Sequence, residues 1–232
     1  MSIVMKIKKV LRSRGLDIVK YHSFWDDIAT PRGIKTILDI GANDGAFALE
    51  MRRRFPGAEI ISFEPLHDCF DELTRRMEGD SKFKAFNVAL GEESGETTIN
   101  RSASHPSSSL LPMAGLHKKL YPESAEQTPE KIRIERLDAL ASDLTIHAPA
   151  LVKIDVQGFE ASVIRGGGEA LKRCDIIVVE NSFVTLYEGQ ALFGEIHDLL
   201  SKLGFSYRGR SETHYDPESK EPIYEDSIFI KQ

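Results

Sequence analysis

Four carboxylates in this chain stand at or beside the ends of apolar runs, and their neighbours make them candidates for chemistry. Asp39 follows Thr36-Ile37-Leu38 just ahead of Ile40-Gly41, and Glu64 follows Ile60-Ile61-Ser62-Phe63. Asp155 follows Leu151-Val152-Lys153-Ile154, and Glu180 follows Ile176-Ile177-Val178-Val179. Gly41 and Gly45 bracket Ala42-Asn43-Asp44; without a Cβ they let the backbone turn sharply and come close to a ligand. A helix starting after that turn offers unpaired N–H groups to a polar ligand. Glu64, 25 residues beyond Asp39, suits a carboxylate that accepts both hydroxyls of a ribose. Asp155 and Glu180 form an acid pair for proton transfer from a hydroxyl, with Asp155 the first choice and His117 a loop alternative. The same two carboxylates would suit Mg²⁺ or Ca²⁺, although the sequence does not require a metal.

The loop spells neither Gly-x-Gly-x-x-Gly nor Gly-x-x-x-x-Gly-Lys-Ser/Thr, so dinucleotide and nucleoside-triphosphate readings lose ground. An acid opening the loop repels a pyrophosphate and favours a cationic ligand. A nucleoside carrying a sulfonium and an amino acid, S-adenosylmethionine, meets that description. Taken alone, the loop also fits an ordinary strand–loop–helix corner.

The elements that must position these residues alternate along the chain. Strands are predicted at 36–40, 58–63, 82–87, 150–154 and 175–180, with helices at 45–54, 66–78, 159–172 and 190–203. Two late runs, Phe205–Arg208 and Ser227–Ile230, are predicted to pair antiparallel. This order implies βαβ units and a mostly parallel sheet, with Asp39, Glu64, Asn87, Asp155 and Glu180 converging on its carboxyl edge. An insertion over 91–149 separates the two halves. Gly95–Asn100 and Lys131–Arg136 read as strands that pair with each other. Between them lies a Ser- and Pro-rich loop whose Ser107, Ser108, Ser109 and His117 could line a substrate mouth, a solvated loop being the default. Residues 1–33 read as a basic helical extension and 34–232 as the main domain. An amphipathic helix there would touch an anionic membrane surface weakly, cover the ligand site, or simply cap the domain. Tyr21 to Trp25 supply aromatics able to roof a pocket.

Net charge of −6 argues against nucleic acid as the main partner. Cys69 and Cys174 make no disulfide framework and read as buried thiols. No apolar run reaches a membrane span, and a cytoplasmic setting is expected.

The ordered blocks DIGANDGAF (39–47), SFEP (62–65), NVALG (87–91), SSSLLP (107–112), RLD (136–138), KIDVQGFE (153–160), VENS (179–182), LYEG (186–189), GF (204–205) and DSIF (226–229) resemble the FkbM-type S-adenosylmethionine-dependent methyltransferases. That resemblance implies the class I methyltransferase fold: an α/β Rossmann-like, seven-stranded, mostly parallel sheet with an antiparallel last strand and helices on both faces. It implies O-methylation of a hydroxyl on a sugar or glycan, polyketide or similar small metabolite. Asp39, Gly41 and Asn43 would shape the methionine end, with Gly45 in the same loop. Glu64 would take the ribose, and Asn87 with Ala89 the adenine side. Asp155, Gln157 and Glu180 would face the methyl and the acceptor, Asp155 also counting among the cofactor contacts. Two rivals use the same sheet. A nicotinamide-dependent oxidoreductase wants the missing glycine motif, and a non-catalytic cofactor-binding or partner-docking protein needs no acid pair on the later strands.

Overall fold

Strands buried on both faces need apolar side chains at successive positions, and Thr36–Ile40, which has all five residues buried, is such a strand. The computed structural model describes residues 7, 10–14, 23–103 and 105–232. Its first half runs β1 (Thr36–Ile40), α1 (Ala46–Arg54), β2 (Glu59–Phe63), α2 (His67–Arg76) and β3 (Phe83–Phe86). The insertion carries β4 (Ala89–Leu90), β5 (Gly95–Ser102), α3 (Gly115–Leu120), β6 (Gln127–Glu135) and α4 (Leu137–Leu140). The second half is β7 (Ala150–Ile154), α5 (Glu160–Gly166), α6 (Gly168–Leu171), β8 (Ile176–Ser182), α7 (Phe193–Lys202), β9 (Phe205–Tyr215) and β10 (Pro222–Lys231).

Seven strands form one sheet in the order β3-β2-β1-β7-β8-β10-β9. β1, β2, β3, β7 and β8 pair in parallel, while β10 runs antiparallel to both β8 and β9. The strand order reverses at the β1–β7 junction, where an open α/β sheet presents a crevice at its carboxyl edge. Register places Asp39 beside Lys153, and Glu180 beside Asp226. Apolar layers cover both faces. One is built on Leu38, Ile154 and Val179 with α5 and α7, the other on Ile37, Leu151 and Val178 with α1.

Four features differ from the sequence expectation. The helix expected over 159–172 is two, α5 and α6, meeting at Gly166-Gly167-Gly168. A Cβ on Gly166 would stand 1.8 Å from the Gly91 carbonyl oxygen, so this close packing on the insertion's first turn selects glycine at the expense of helix propensity. The insertion is a three-stranded sheet, β4-β6-β5, rather than a hairpin alone; Ala89 and Leu90 pair parallel to Ile134 and Glu135. The last two strands extend well past their apolar cores as a polar hairpin. Residues 24–33, assigned from sequence to the extension, help form the main core instead. Phe24 and Ala29 are buried with Ala48, Met51 and Ile60, and the Trp25 ring lies 5.9 Å from that of Phe47, so these aromatics roof no cavity. Tyr21 and most of the expected basic helix lie outside the described residues. Cys69 and Cys174 are buried free thiols, and burial pushes both up to about 12. No helix among the described residues is long and apolar enough to cross a membrane.

Candidate active site

The loop after β1 is wound tightly by its own hydrogen bonds. Gly41 and Ala42 donate to the Phe63 carbonyl at 3.0 and 3.1 Å, Gly45 donates to Ala42, and Ala46 donates to the Asp44 carboxylate at 3.2 Å. Gly41 has φ +83°, and a Cβ there would fall 1.8 Å from the Asp155 carbonyl oxygen. Only glycine lets β1 and β7 approach this closely at their carboxyl ends. Glu64 locks the loop to β2: Oε2 accepts from the Asn43 N–H at 2.8 Å, and Oε1 from the Leu66 N–H at 2.8 Å. Burial pushes the Glu64 carboxyl up to about 7 even though both N–H donors favour its anion.

Behind this loop Asp39 is fully buried. Ser62 donates to its Oδ2 at 3.4 Å, while Oδ1 has no hydrogen-bond partner among the described residues. Burial raises Asp39 to about 6 against the opposing pull of the Lys153 ammonium. Asn87 stands outside the cavity wall. Its Nδ2 donates to the Glu64 and Pro65 carbonyls, both at 2.9 Å, so it pins the end of β2. Ala89 does line the cavity, beside Val88 and Leu90.

The cavity holds about 370 Å³. Its walls are the Gly41–Phe47 loop, Glu64 to Leu66, Val88 to Leu90, Pro106 to Leu110 of the insertion, and the ends of β7 and β8. At the β7–β8 end the Lys153 ammonium donates to Asp155 Oδ2 at 2.8 Å and lies 5.3 Å from the centre of the Phe47 ring. Gln157, at φ +54°, turns its side chain back over the acid pair. Its Nε2 donates to Asp155 Oδ1 and Glu180 Oε2, each at 2.9 Å, and its Oε1 accepts from the Tyr187 hydroxyl at 2.8 Å.

The two acids therefore part company. Burial alone would raise Asp155, but the Lys153 ammonium and the hydrogen bonds from Lys153 and Gln157 hold it below the usual carboxylate range. Burial, reinforced by the charges of Asp155, Glu160 and Asp226, raises Glu180 well above that range. The sequence favoured Asp155 as base, yet both of its oxygens are engaged and its proton affinity is suppressed. The expectation that Asp155 and Glu180 hold a divalent cation fails on the same donor set. The place beside Asp155 belongs to an ammonium, and Gln157 bridges to Glu180. Among the described residues no group of three or more His, Cys, Asp or Glu side chains is placed to hold a metal ion.

The insertion meets this end through side chains committed to the fold. The Ser109 hydroxyl donates to the Gln157 carbonyl at 2.6 Å, Ser108 Oγ accepts from the Ser102 N–H at 3.1 Å, and the Ser107 carbonyl accepts from Tyr187 at 3.2 Å. Of the three, Ser109 commits its hydroxyl proton to the wall, while Ser107 is held there by its backbone carbonyl. His117 is no solvated loop residue; it is buried in α3. Its Nδ1 lies 3.3 Å from Ser124 Oγ and its Nε2 3.2 Å from the Tyr187 hydroxyl, and burial lowers its pKa. A neutral imidazole with both nitrogens engaged braces the wall.

Sequence reading gave no role to Lys153, Tyr187, Tyr121 or Tyr224. Lys153 carried a signal, because the period of two in a strand puts it on the same face as Asp155. The tyrosines carried none: Tyr121 and Tyr224 reach the cavity from separate segments, and Tyr187 braces its wall from behind through Gln157 and His117.

Strand order, an antiparallel β10 and an acid-lined cavity at the switch point together define a class I S-adenosylmethionine-dependent methyltransferase. Residues 39–207 match the family described as Methyltransferase FkbM domain, and the chain belongs to that family. It is 31% identical over 170 residues to the 2-O-methyltransferase NoeI of Sinorhizobium fredii, spanning 71% of this chain and 70% of that one. Identity to the methyltransferase sdnD of Sordaria araneosa is 29% over 211 residues, 80% of each chain. Identity to the hexuronic acid methyltransferase AglP of Haloferax volcanii is 27% over 145 residues, 61% of this chain and 54% of that one.

Proposed function

We propose that this enzyme methylates a hydroxyl of a sugar-like acceptor, with Glu180 as the proton acceptor. The observation that carries the reading is the separation of the acid pair. Asp155 is bound to Lys153 at 2.8 Å, while the Glu180 carboxylate is held, among the described residues, by the Gln157 amide at 2.9 Å. The residues present fit the cofactor. Glu64 offers a carboxylate to a ribose, Val88 to Leu90 give an apolar wall for a base, and the glycine at 41 lets the loop pack against the end of β7. S-adenosylmethionine, when bound, supplies a methyl group on an electrophilic sulfonium.

Glu180 takes the acceptor's proton at Oε1, the oxygen that Gln157 leaves open. Gln157 orients both acids at once, and Asp155 keeps the Lys153 ammonium in place. Tyr121 and Tyr224 also line the cavity and add aromatic surface to the wall an acceptor would meet. The name of NoeI, a 2-O-methyltransferase, supports an oxygen acceptor, and that of AglP, a hexuronic acid methyltransferase, supports a sugar. Cofactor carrying a labelled methyl group, offered with pooled glycans, glycolipid sugars, polyketides and peptides, tests the reading. Label should appear in the sugar pool as an alkali-stable ether; transfer confined to peptides or amines would replace the acceptor assignment.

A further inference from the structure

We propose that Lys153 is the counter-ion for the carboxylate at the amino-acid end of the bound S-adenosyl ligand, held at that post by Asp155. The inference rests on the cofactor reading above and assigns a partner to the charged end of the ligand. In the usual arrangement a strand–loop–helix turn greets an anion with free backbone N–H groups. Here five of them are engaged within the turn: Gly41, Ala42 and Gly45 donate to carbonyls, Asn43 to Glu64, and Ala46 to Asp44. A carboxylate arriving at this loop gains from a cation beside it.

Among the described residues that line the cavity, Lys153 is the single lysine or arginine. The other charged groups in the wall, Asp44, Glu64, Asp155 and Glu180, are acids, so a polyanion would be repelled and one carboxylate needs this one cation. An ammonium carries three donors, and Asp155 accepts one of them. Burial works against its charge, but Asp155 and Asp39 outweigh burial and hold Lys153 protonated. Position agrees as well. With the ribose at Glu64, the base against Val88 to Leu90 and the reacting end at Glu180, the β1–α1 side of the cavity carries Gly41, Phe47 and Lys153.

The test is titration calorimetry with S-adenosylhomocysteine, which has the carboxylate, and 5′-methylthioadenosine, which lacks the whole amino-acid end. In Lys153→Met, affinity for the first should fall about 10–50-fold, the scale of a lost charge-assisted hydrogen bond, while the second changes less than about threefold. Lys153→Arg should keep S-adenosylhomocysteine within about fivefold. Equal weakening of both ligands would make Lys153 a structural partner of Asp155 only and overturn the assignment, as would no weakening of either. Should Lys153→Met not fold, the unmodified protein decides with the decarboxylated analogue of S-adenosylhomocysteine. A loss of about tenfold or more is expected, and equal affinity overturns the proposal. If the unmodified protein bound none of these nucleosides, the cofactor reading would fall and this inference with it.

Discussion

At the β1–β2 end of the cavity the polar groups bond to backbone; at the β7–β8 end they bond to one another's side chains. Glu64 accepts from the N–H of Leu66, two residues away, and of Asn43, 21 residues away. Gln157 instead reaches Glu180 across 23 residues and Tyr187 across 30, and Tyr187 reaches His117 across 70. The first end is a rigid socket, because backbone donors move only if the fold moves. The second end is a polar network whose charges depend on one another, so the removal of one member leaves others buried without partners. A fixed socket suits a cofactor that is always the same. An interdependent network suits the end where a proton must move.

The sharpest break in that contrast is Glu180→Gln. Turnover should fall by about 10²–10⁴, the usual contribution of a general base, while the dissociation constant for S-adenosylhomocysteine stays within about threefold. In the unmodified enzyme kcat should rise with pH through the raised Glu180 pKa, and that limb should disappear in the variant. A retained limb would move the proton acceptor elsewhere.

Glu64→Ala strikes the other end and should show the opposite pattern. Affinity for S-adenosylmethionine should drop by about 1.5–3 kcal/mol, as expected for lost hydrogen bonds to a charged group, and Glu64→Gln should recover part of it. Calorimetry that finds the affinity unchanged would remove Glu64 from the ribose.

Tyr187→Phe takes only the hydroxyl that joins Gln157 to the insertion. Expected are a loss of about 3–10-fold in kcat, little change in S-adenosylhomocysteine affinity, and faster hydrogen exchange over residues 105–125. Exchange at the unmodified rate would mean that the insertion holds its place without Tyr187. The same stretch should slow when cofactor and acceptor are both bound.

The smallest effect concerns stability. Burial raises Asp226 to about 6, reinforced by Asp155 and Glu212 and opposed by Lys153 and His214. A carboxyl whose pKa is raised on folding stabilises the fold fully below its unfolded value, near 3.8, and that contribution is lost as pH rises through about 6. Asp226→Asn should therefore flatten the decline of the thermal midpoint between about pH 4 and pH 6, and raise the midpoint at pH 7.5 by about 2–4 °C. A lower midpoint at pH 7.5 would show that the charge is paired favourably in solution.

Much of the socket was legible before any coordinates. Apolar runs that end in an acid and a glycine place Asp39, Gly41 and Glu64 at the carboxyl ends of β1 and β2, because the relation involves only neighbours along the chain. The same reasoning put Asp155 and Glu180 on one edge with Asp155 as the first choice of base; it had no means to see Lys153 and Gln157, whose hydrogen bonds divide the pair unequally. Asn87 stands at the edge expected of it, and the claim of two β2–α2 turn carbonyls on its amide could not be read from the chain.

The sequence by itself determined the order of strands and helices, the parallel sheet, the switch-point crevice and the acids along it. Period, turn residues and burial pattern act over a few residues and survive any tertiary detail. Only the tertiary structure decided which carboxylate has the raised proton affinity, that an ammonium and an amide sit beside the acid pair, and that His117 is buried in the wall. Each of these rests on the charge and hydrogen-bond balance of the cavity. That balance is set by groups as far apart in sequence as Ser107, Lys153 and Tyr187, which meet only when the sheet closes.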